Sequence, residues 1–273
     1  MEEMPREAGG ADAGRAGIAR VYDSFLGGKD NFAPDRDVVR RCAEILPDSG
    51  TGARANRAFL RRAVTCMARA GIRQFLDIGA GLPEDETVHG VAREVDPAIR
   101  VAYVDNHPMV LSHARALLGR AEGTLAAEGD LRKPEEIFDD PLIREHLDLG
   151  RPVGVLLLGV VHHVRDEEDP SGIMARVRER MAPGSMLALS HFCNPGEERP
   201  EDAALAAECE RVLSETLGTG RWRARGEILS YLGDFEVLEP GLVPLPEWRP
   251  DPDEVLVRGR GHHLFLGAVA RKP

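Results

Sequence analysis

Gln74-Phe75-Leu76-Asp77-Ile78-Gly79-Ala80-Gly81-Leu82 decides the fold: a short apolar run that ends in an acid and breaks into a glycine turn. A strand covered on both faces reads as a continuous hydrophobic run, and in open α/β sheets ligands bind just beyond the carboxyl ends of the strands. The stretch therefore predicts a buried strand that carries Asp77, Gly79 and Gly81 to a ligand. Without a ligand, the same residues would be no more than a tight strand-to-helix connection.

A dinucleotide site would need G-x-G-x-x-G, but Glu84 stands at the third glycine. A carboxylate at a helix start also opposes a pyrophosphate, because helix N-termini attract anions. A ligand without phosphates fits better. The D-x-G-x-G pattern resembles the first motif of class I S-adenosylmethionine-dependent methyltransferases, whose cofactor brings a sulfonium, an ammonium and a ribose to such a turn.

Outward from the turn, apolar runs alternate with helical segments, the signature of βαβ units and a parallel sheet. Further strands are predicted at 99–104, 124–127, 153–158 and 185–190, then a last pair at 235–239 and 264–270 around the proline-rich 240–252. Helices are predicted at 87–95, 109–118, 134–149 with a break at Pro141, 170–181, 201–217 and 226–232. The sum is an α/β three-layer sandwich of Rossmann-like type; five parallel strands and a last pair suit the seven-stranded, mostly parallel sheet of the class I methyltransferases that the turn resembles, which implies an antiparallel last strand. Upstream, 35–46 and 53–70 read as helices, the second with Phe59, Leu60, Ala63, Val64 and Met67 on one face. Residues 1–17 have no apolar periodicity and read as a disordered leader, 18–70 as a helical N-terminal cap or lid, and 71–273 as the cofactor-binding core.

Within this frame the polar residues at strand ends are candidates for a nucleoside site. Asp105, ending the second strand, can accept from both ribose hydroxyls, as it would in a nicotinamide enzyme too. Asp130 is placed for an adenine amino group and Leu131 for the ring; an Asx turn is the plain alternative. On the 53–70 helix the arginine run reads as a solvated face, and Asn56 and Arg57 near its start are candidate pocket residues. In the lid, Tyr22, Gly28 and Asn31 are candidates for covering the cofactor, with Gly27-Gly28 as hinge or close-approach point. After the fourth strand, Gly159 leads to His162 and His163; extended geometry predicts that one of the two faces the pocket and the other the following helix. His163 is the favoured general base, since an ordinary histidine titrates near pH 6.5, with His162 beside it and His191 in reserve. A packing or capping pair is the plain alternative, and no third ligand lies close enough in sequence for a metal.

The runs Arg20-Val21-Tyr22-Asp23, Leu26-Gly27-Gly28-Lys29-Asp30-Asn31, Ala55-Asn56-Arg57-Ala58-Phe59-Leu60, Phe75-Leu76-Asp77-Ile78-Gly79-Ala80-Gly81-Leu82-Pro83, Tyr103-Val104-Asp105-Asn106 and Gly129-Asp130-Leu131-Arg132 resemble the actinobacterial S-adenosyl methyltransferase family first catalogued as a domain of unknown function. The resemblance covers nearly everything after Ile18. It implies the class I methyltransferase fold and S-adenosyl-L-methionine as cofactor, with Asn106 in the binding set, and it transfers no substrate. Thr87-Val88-His89 stands where Asn-Val-His is expected, which puts one pocket hydrogen bond in question.

Composition narrows the partners. A net charge of −11 over 273 residues argues against a general nucleic-acid binder, because phosphate neutralisation needs a basic face. Cys42, Cys66, Cys193 and Cys209 are too widely spaced for a zinc ribbon or a disulfide framework. No apolar run reaches membrane-span length and the N-terminus lacks a signal peptide's apolar core, so a cytoplasmic protein is expected. The sequence thus predicts an enzyme that methylates a small molecule, of open oligomeric state. A cofactor-binding regulator or pseudoenzyme is the second reading and a nicotinamide oxidoreductase the third.

Overall fold

In the computed structural model, which describes residues 13–83, 86–117, 121–251 and 258–273, β1 (Gln74–Ile78) is buried at every position. It pairs in parallel with β2 (Arg100–Asp105) on one side and β4 (Gly154–Leu158) on the other, Leu76 lying opposite both Ala102 and Val155. Beyond them come β3 (Thr124–Glu128) and β5 (Met186–Asn194), each parallel to its neighbour. The strand order is β3-β2-β1-β4-β5-β9-β7. β9 (Phe265–Arg271) runs antiparallel to β5, Ser190 opposite Gly267, and β7 (Glu236–Val237) forms the edge. Two dipeptide strands join off this path: β6 (Arg223–Ala224) on β5 and β8 (Val243–Pro244) on β9. The mostly parallel sheet with an antiparallel strand inserted near its end is the one expected; the two dipeptide strands were not.

Successive side chains on a strand point to opposite faces, and β1 sorts its residues accordingly. Leu76 and Ile78 enter a core shared with α6 (Pro134–Phe138), α7 (Pro141–His146), α8 (Pro170–Arg180) and α10 (Arg225–Ser230). Phe75 enters the opposite core, under α3 (Gly50–Arg69), α4 (Val88–Arg93) and α5 (Pro108–Leu117). Pro141 does break the 134–149 stretch in two, because proline opens a helix at N1 and cannot continue one; Asp140 caps the second piece through the N–H groups of Leu142 and Ile143. Thr87 caps α4 by accepting from Gly90 N, so its hydroxyl serves the helix start.

Within 18–70, α3 is a layer of the sandwich: Phe59, Ala63, Val64 and Met67 are wholly buried against the sheet. The cap proper is α1 (Ile18–Leu26) with α2 (Ala33–Ile45), packed through Val21, Val38 and Cys42 on Val212 and Leu213 of α9 (Pro200–Leu217). A buried ion pair locks the two: Arg20 Nε lies 2.9 Å from Asp35 Oδ2, and Asp35 also accepts from Gly17 N and Phe32 N. All four cysteines are free thiols. The first twelve residues of the expected leader, Glu84, Leu118 at the expected end of α5 and Pro252 at the end of the proline-rich stretch lie outside the described residues.

Candidate active site

The carboxyl ends of β1 to β4 open on one cleft of about 450 Å³, within the ~300–1,000 Å³ of small-molecule sites. Asp77 stands two places after Phe75 and so points to the face of α3, whose Arg57 lines the same cleft. Burial pushes the Asp77 carboxyl up to about 7, while Arg57 pulls it down and Asp105 pushes it up. Gly79 has φ 75°, and a Cβ there would come within 2.5 Å of Val160 Cγ2. Any side chain would therefore meet left-handed strain and displace the loop after β4.

Asp105 holds the far side of the turn, its Oδ2 accepting from Gly81 N (3.0 Å) and its Oδ1 from His107 N (2.9 Å). Burial raises its pKa despite those N–H donors. Asp130 and Leu131 line the cleft next, with Asn106 between the two acids. The Asp130 carboxylate is engaged by Arg132, whose Nε donates at 2.9 and 3.0 Å, and this partner holds it below the usual carboxylate range. Arg132 continues to Glu168 at 2.9 Å, tying the loops after β3 and β4 across the mouth.

The cap closes one side. Ile18, Val21, Tyr22 and Phe25 of α1 line the cleft. Asn56 Nδ2 donates to Tyr22 Oη (3.0 Å), Tyr22 Oη to Ala53 O (3.2 Å), and Ser190 Oγ to Asn56 Oδ1 (2.7 Å). This chain links the cap, α3 and β5. Gly28 and Asn31 are not part of the lining. A Cβ on Gly28 would overlap the Asp23 carboxylate, and Asn31 Nδ2 donates to that carboxylate (2.7 Å) and to Gly28 O (2.9 Å). The close approach at Gly28 is thus an internal lock on the end of α1.

The histidines also sit differently from expectation. After Gly159 the chain turns into a 3-10 segment, Val161–His163, in place of an extended one, so both imidazoles line the cleft, their centroids 4.5 Å apart. Nδ1 of each is buried with no hydrogen-bond partner among the described residues. Burial pushes His163 down to about 4 and His162 well below its ordinary value, His163, His191 and Arg223 beside it adding to the second. The ordinary value near 6.5 therefore does not hold here, and both rings are neutral at pH 7. His162 is wedged against Phe192, ring planes 13° apart and centroids at 3.7 Å. His191 lies outside the cleft: its Nδ1 donates to Phe192 O (2.7 Å) and its Nε2 accepts from Arg223 (3.2 Å). Carbonyls of the pair are held by Thr219 Oγ1 on His163 O (2.6 Å) and Arg221 N on His162 O (2.8 Å).

The model of the S-adenosyl methyltransferase family matches residues 5–273. The chain belongs to that family. It is a methyltransferase of the class I fold, with S-adenosylmethionine as cofactor. A crystal structure of an inferred methyltransferase from Thermobifida fusca shares 39% identity with a TM-score of 0.88, each chain covered over 96%. One of a DUF574 family protein from Streptomyces avermitilis shares 36% identity with a TM-score of 0.87, covering 96% of this chain and 99% of that one. An O-methyltransferase family protein from Burkholderia thailandensis, at 15% identity, TM-score 0.51 and coverage of 90% and 73%, shares the fold alone. No curated protein matches the chain. Neither the regulator reading nor the nicotinamide reading gains support from these likenesses.

This methyltransferase brings Tyr22, Arg57, Asp77, Gly79, Gly81, Asp105, Asn106, Asp130, Leu131, Gly159, His162 and His163 to one cleft and leaves Gly28, Asn31 and His191 outside it. Sequence reasoning missed Val160, Phe192, Thr219 and Phe265 on the wall, and Arg132 and Glu168 across the mouth. Only Arg132 carried a signal, as the residue following Asp130-Leu131. Among the described residues no group of three His, Cys, Asp or Glu side chains could hold a metal, and no helix is long and apolar enough to cross a membrane.

Proposed function

We propose that this methyltransferase acts on a small-molecule acceptor inside an actinobacterial cell, with the cofactor along the acidic strand ends and the acceptor against the histidine wall. The observation that carries the proposal is the single cleft that holds Asp77, Arg57, Asp105, Asp130, His162 and His163 under α1. α1 closing one side of the cleft favours a small acceptor over a folded macromolecule. Four free thiols suit a reducing compartment, and the Thermobifida and Streptomyces relatives support the source.

The residues suit the cofactor's chemistry. Asp105 keeps a lone pair on each oxygen for ribose hydroxyls beyond those spent on Gly81 and His107. Asp77 and Arg57 offer an anion and a cation side by side, as an amino-acid end requires. Leu131 and Asp130 suit the adenine, and Gly79, Gly81 and Gly159 leave room for close approach. Tyr22 and Asn106 complete the walls. The bound cofactor supplies an electrophilic methyl on a positively charged sulfur, open to in-line displacement. What the chain itself contributes is alignment, exclusion of water, and a neutral imidazole able to take the acceptor's proton.

Calorimetry with S-adenosylhomocysteine is the direct test. Asp105→Ala is expected to weaken binding by about 1.5–3 kcal/mol, the scale of hydrogen bonds to a charged group, and NAD is expected not to bind. Unchanged affinity in Asp105→Ala would remove Asp105 from the site.

Binding should also follow pH through Asp77. An ammonium beside it favours the ionised carboxylate, so below pH 7 binding must first displace a proton. Affinity is expected to rise roughly tenfold from pH 6 to pH 8 and level off above. For the free protein the sign is opposite: a carboxyl raised in the folded state stabilises when protonated, and that contribution fades as pH rises through about 7. A melting series run with and without S-adenosylhomocysteine reads both slopes, and parallel slopes would exclude Asp77 as the ammonium's partner.

A further inference from the structure

We infer that the methyl acceptor is a flat, ring-bearing and largely apolar molecule with one polar group, its ring seated in a second chamber behind the cofactor cleft. The inference rests on the cleft being the cofactor site. The chamber measures about 120 Å³ and shares Tyr22, Phe25, Phe192, Leu213 and Phe265 with the cleft as a common partition. An apolar cavity of about 150 Å³ takes up benzene, so the chamber is on the scale of one ring, with the partition side chains and the cleft beyond for more.

Three features set the chemistry. The first is the aromatic wall. His162, Phe192 and Trp222 form a stacked column, with centroids at 3.7 and 4.2 Å and planes within 13° and 12°. Phe265 stands edge-on to Phe192 and to His162, at 4.8 and 5.9 Å. Both faces of Phe192 are covered within the column, so another ring in the chamber would meet its edge, Trp222 or Phe265. The second is charge: Asp48 is the one carboxylate on the chamber lining among the described residues, and no arginine or lysine lines it. The one histidine on the lining, His262, already faces Glu247 at 2.9 Å, so an anionic acceptor would find no free counter-ion. The third is the set of unmet polar atoms. Nδ1 of His162 and of His163 on the cleft side, and Nε1 of Trp222 and Nδ1 of His262 on the chamber side, are buried without a partner among the described residues. Buried polar atoms are rarely left unpaired, and a hydroxyl or amine on the acceptor, placed where chamber meets cleft, would satisfy one of the imidazoles.

Gly52 provides the test. It lines the chamber and not the cleft, and a Cβ there would meet only Phe265 Cδ1, at 3.7 Å. A larger side chain can therefore fill the chamber, and replacing a glycine inside α3 favours the helix. Calorimetry with 2-naphthol, on the free protein and on protein saturated with S-adenosylhomocysteine, is expected to show saturable one-to-one binding. Gly52→Leu should weaken it and Gly52→Phe should weaken it at least tenfold, with S-adenosylhomocysteine affinity unchanged in both. Naphthalene should bind about fivefold more weakly than 2-naphthol, the scale of one net hydrogen bond. Absent 2-naphthol binding, or equal binding in wild type and Gly52→Phe, would overturn the inference and mark the chamber as a packing gap under the cap. If 2-naphthol binds and is displaced by Gly52→Phe while S-adenosylhomocysteine does not bind, the cofactor assignment fails and the ring site stands.

Discussion

His163→Ala is expected to slow methyl transfer roughly 10²-fold while leaving S-adenosylhomocysteine affinity within about a factor of two. A positioned general base contributes ~10²–10⁴, and the lower end applies because burial has pushed this imidazole down to about 4. The same burial makes the ring a proton acceptor at any ordinary pH. The rate advantage of wild type over His163→Ala should therefore stay level from pH 6 to pH 9 and shrink only as pH falls towards 4. His162 is the poorer candidate: stacked on Phe192 and crowded by His163 and His191, it has little freedom to follow a proton. Initial rates of tritiated methyl transfer into an actinobacterial small-molecule extract, for the two proteins side by side, make the comparison. Equal rates across that range would mean that alignment alone carries the reaction.

What the sequence disclosed and what it hid follow from how local each signal is. The run 74–82 announces itself, because a strand buried on both faces is largely apolar, its one acid stands next to the strand's end, and the glycine turn follows at once. Asp105 was legible for the same reason, as the end of an apolar run, and Asp130 as the acid in the loop just past one, both at the carboxyl edge of the sheet where ligands bind. Counting such runs gave the number of strands, and the antiparallel end of the sheet followed only from the methyltransferase resemblance that the count suited; β7 proves only two residues long. Gly28 and Asn31 look like a flexible loop in one dimension. Only the fold reveals that their partner is Asp23, five and eight residues away on the preceding helix. The histidine pair failed on backbone geometry: a 3-10 turn spaces side chains by about 120° per residue, so the alternation of a strand no longer applies. Most hidden were residues whose role is a contact far along the chain, such as Asn56 with Ser190, or Thr219 and Arg221 with the histidine carbonyls.

Arg223 is the extreme case, and its removal should cost more folding stability than loss of any cleft residue named above. It lies on β6 with a side chain 3% exposed, directly beneath the 161–166 segment. Nη2 donates to Val164 O at 2.8 Å and to Asp166 Oδ1 at 2.7 Å, and Nη1 donates to His191 Nε2 at 3.2 Å. Its Nε stands 2.9 Å from Glu227 Oε1 without the alignment of a hydrogen bond. Asp166 and Glu227 are 56% and 43% exposed, so water takes over much of their share. The loss comes instead from the buried acceptors Val164 O and His191 Nε2, each left unpaired at roughly 1–3 kcal/mol. Arg223→Ala is therefore expected to lower unfolding free energy by about 3 kcal/mol in urea, and Arg223→Lys, which reaches fewer of these acceptors, by less. A positioning role predicts more than instability. With its anchor gone the 161–166 segment should loosen, letting water reach His163 and moving its pKa back up from about 4 towards the ordinary value. Titration of the imidazole resonances by NMR in folded Arg223→Lys reads that shift directly. A stability loss with the His163 titration unmoved would leave Arg223 a structural residue only.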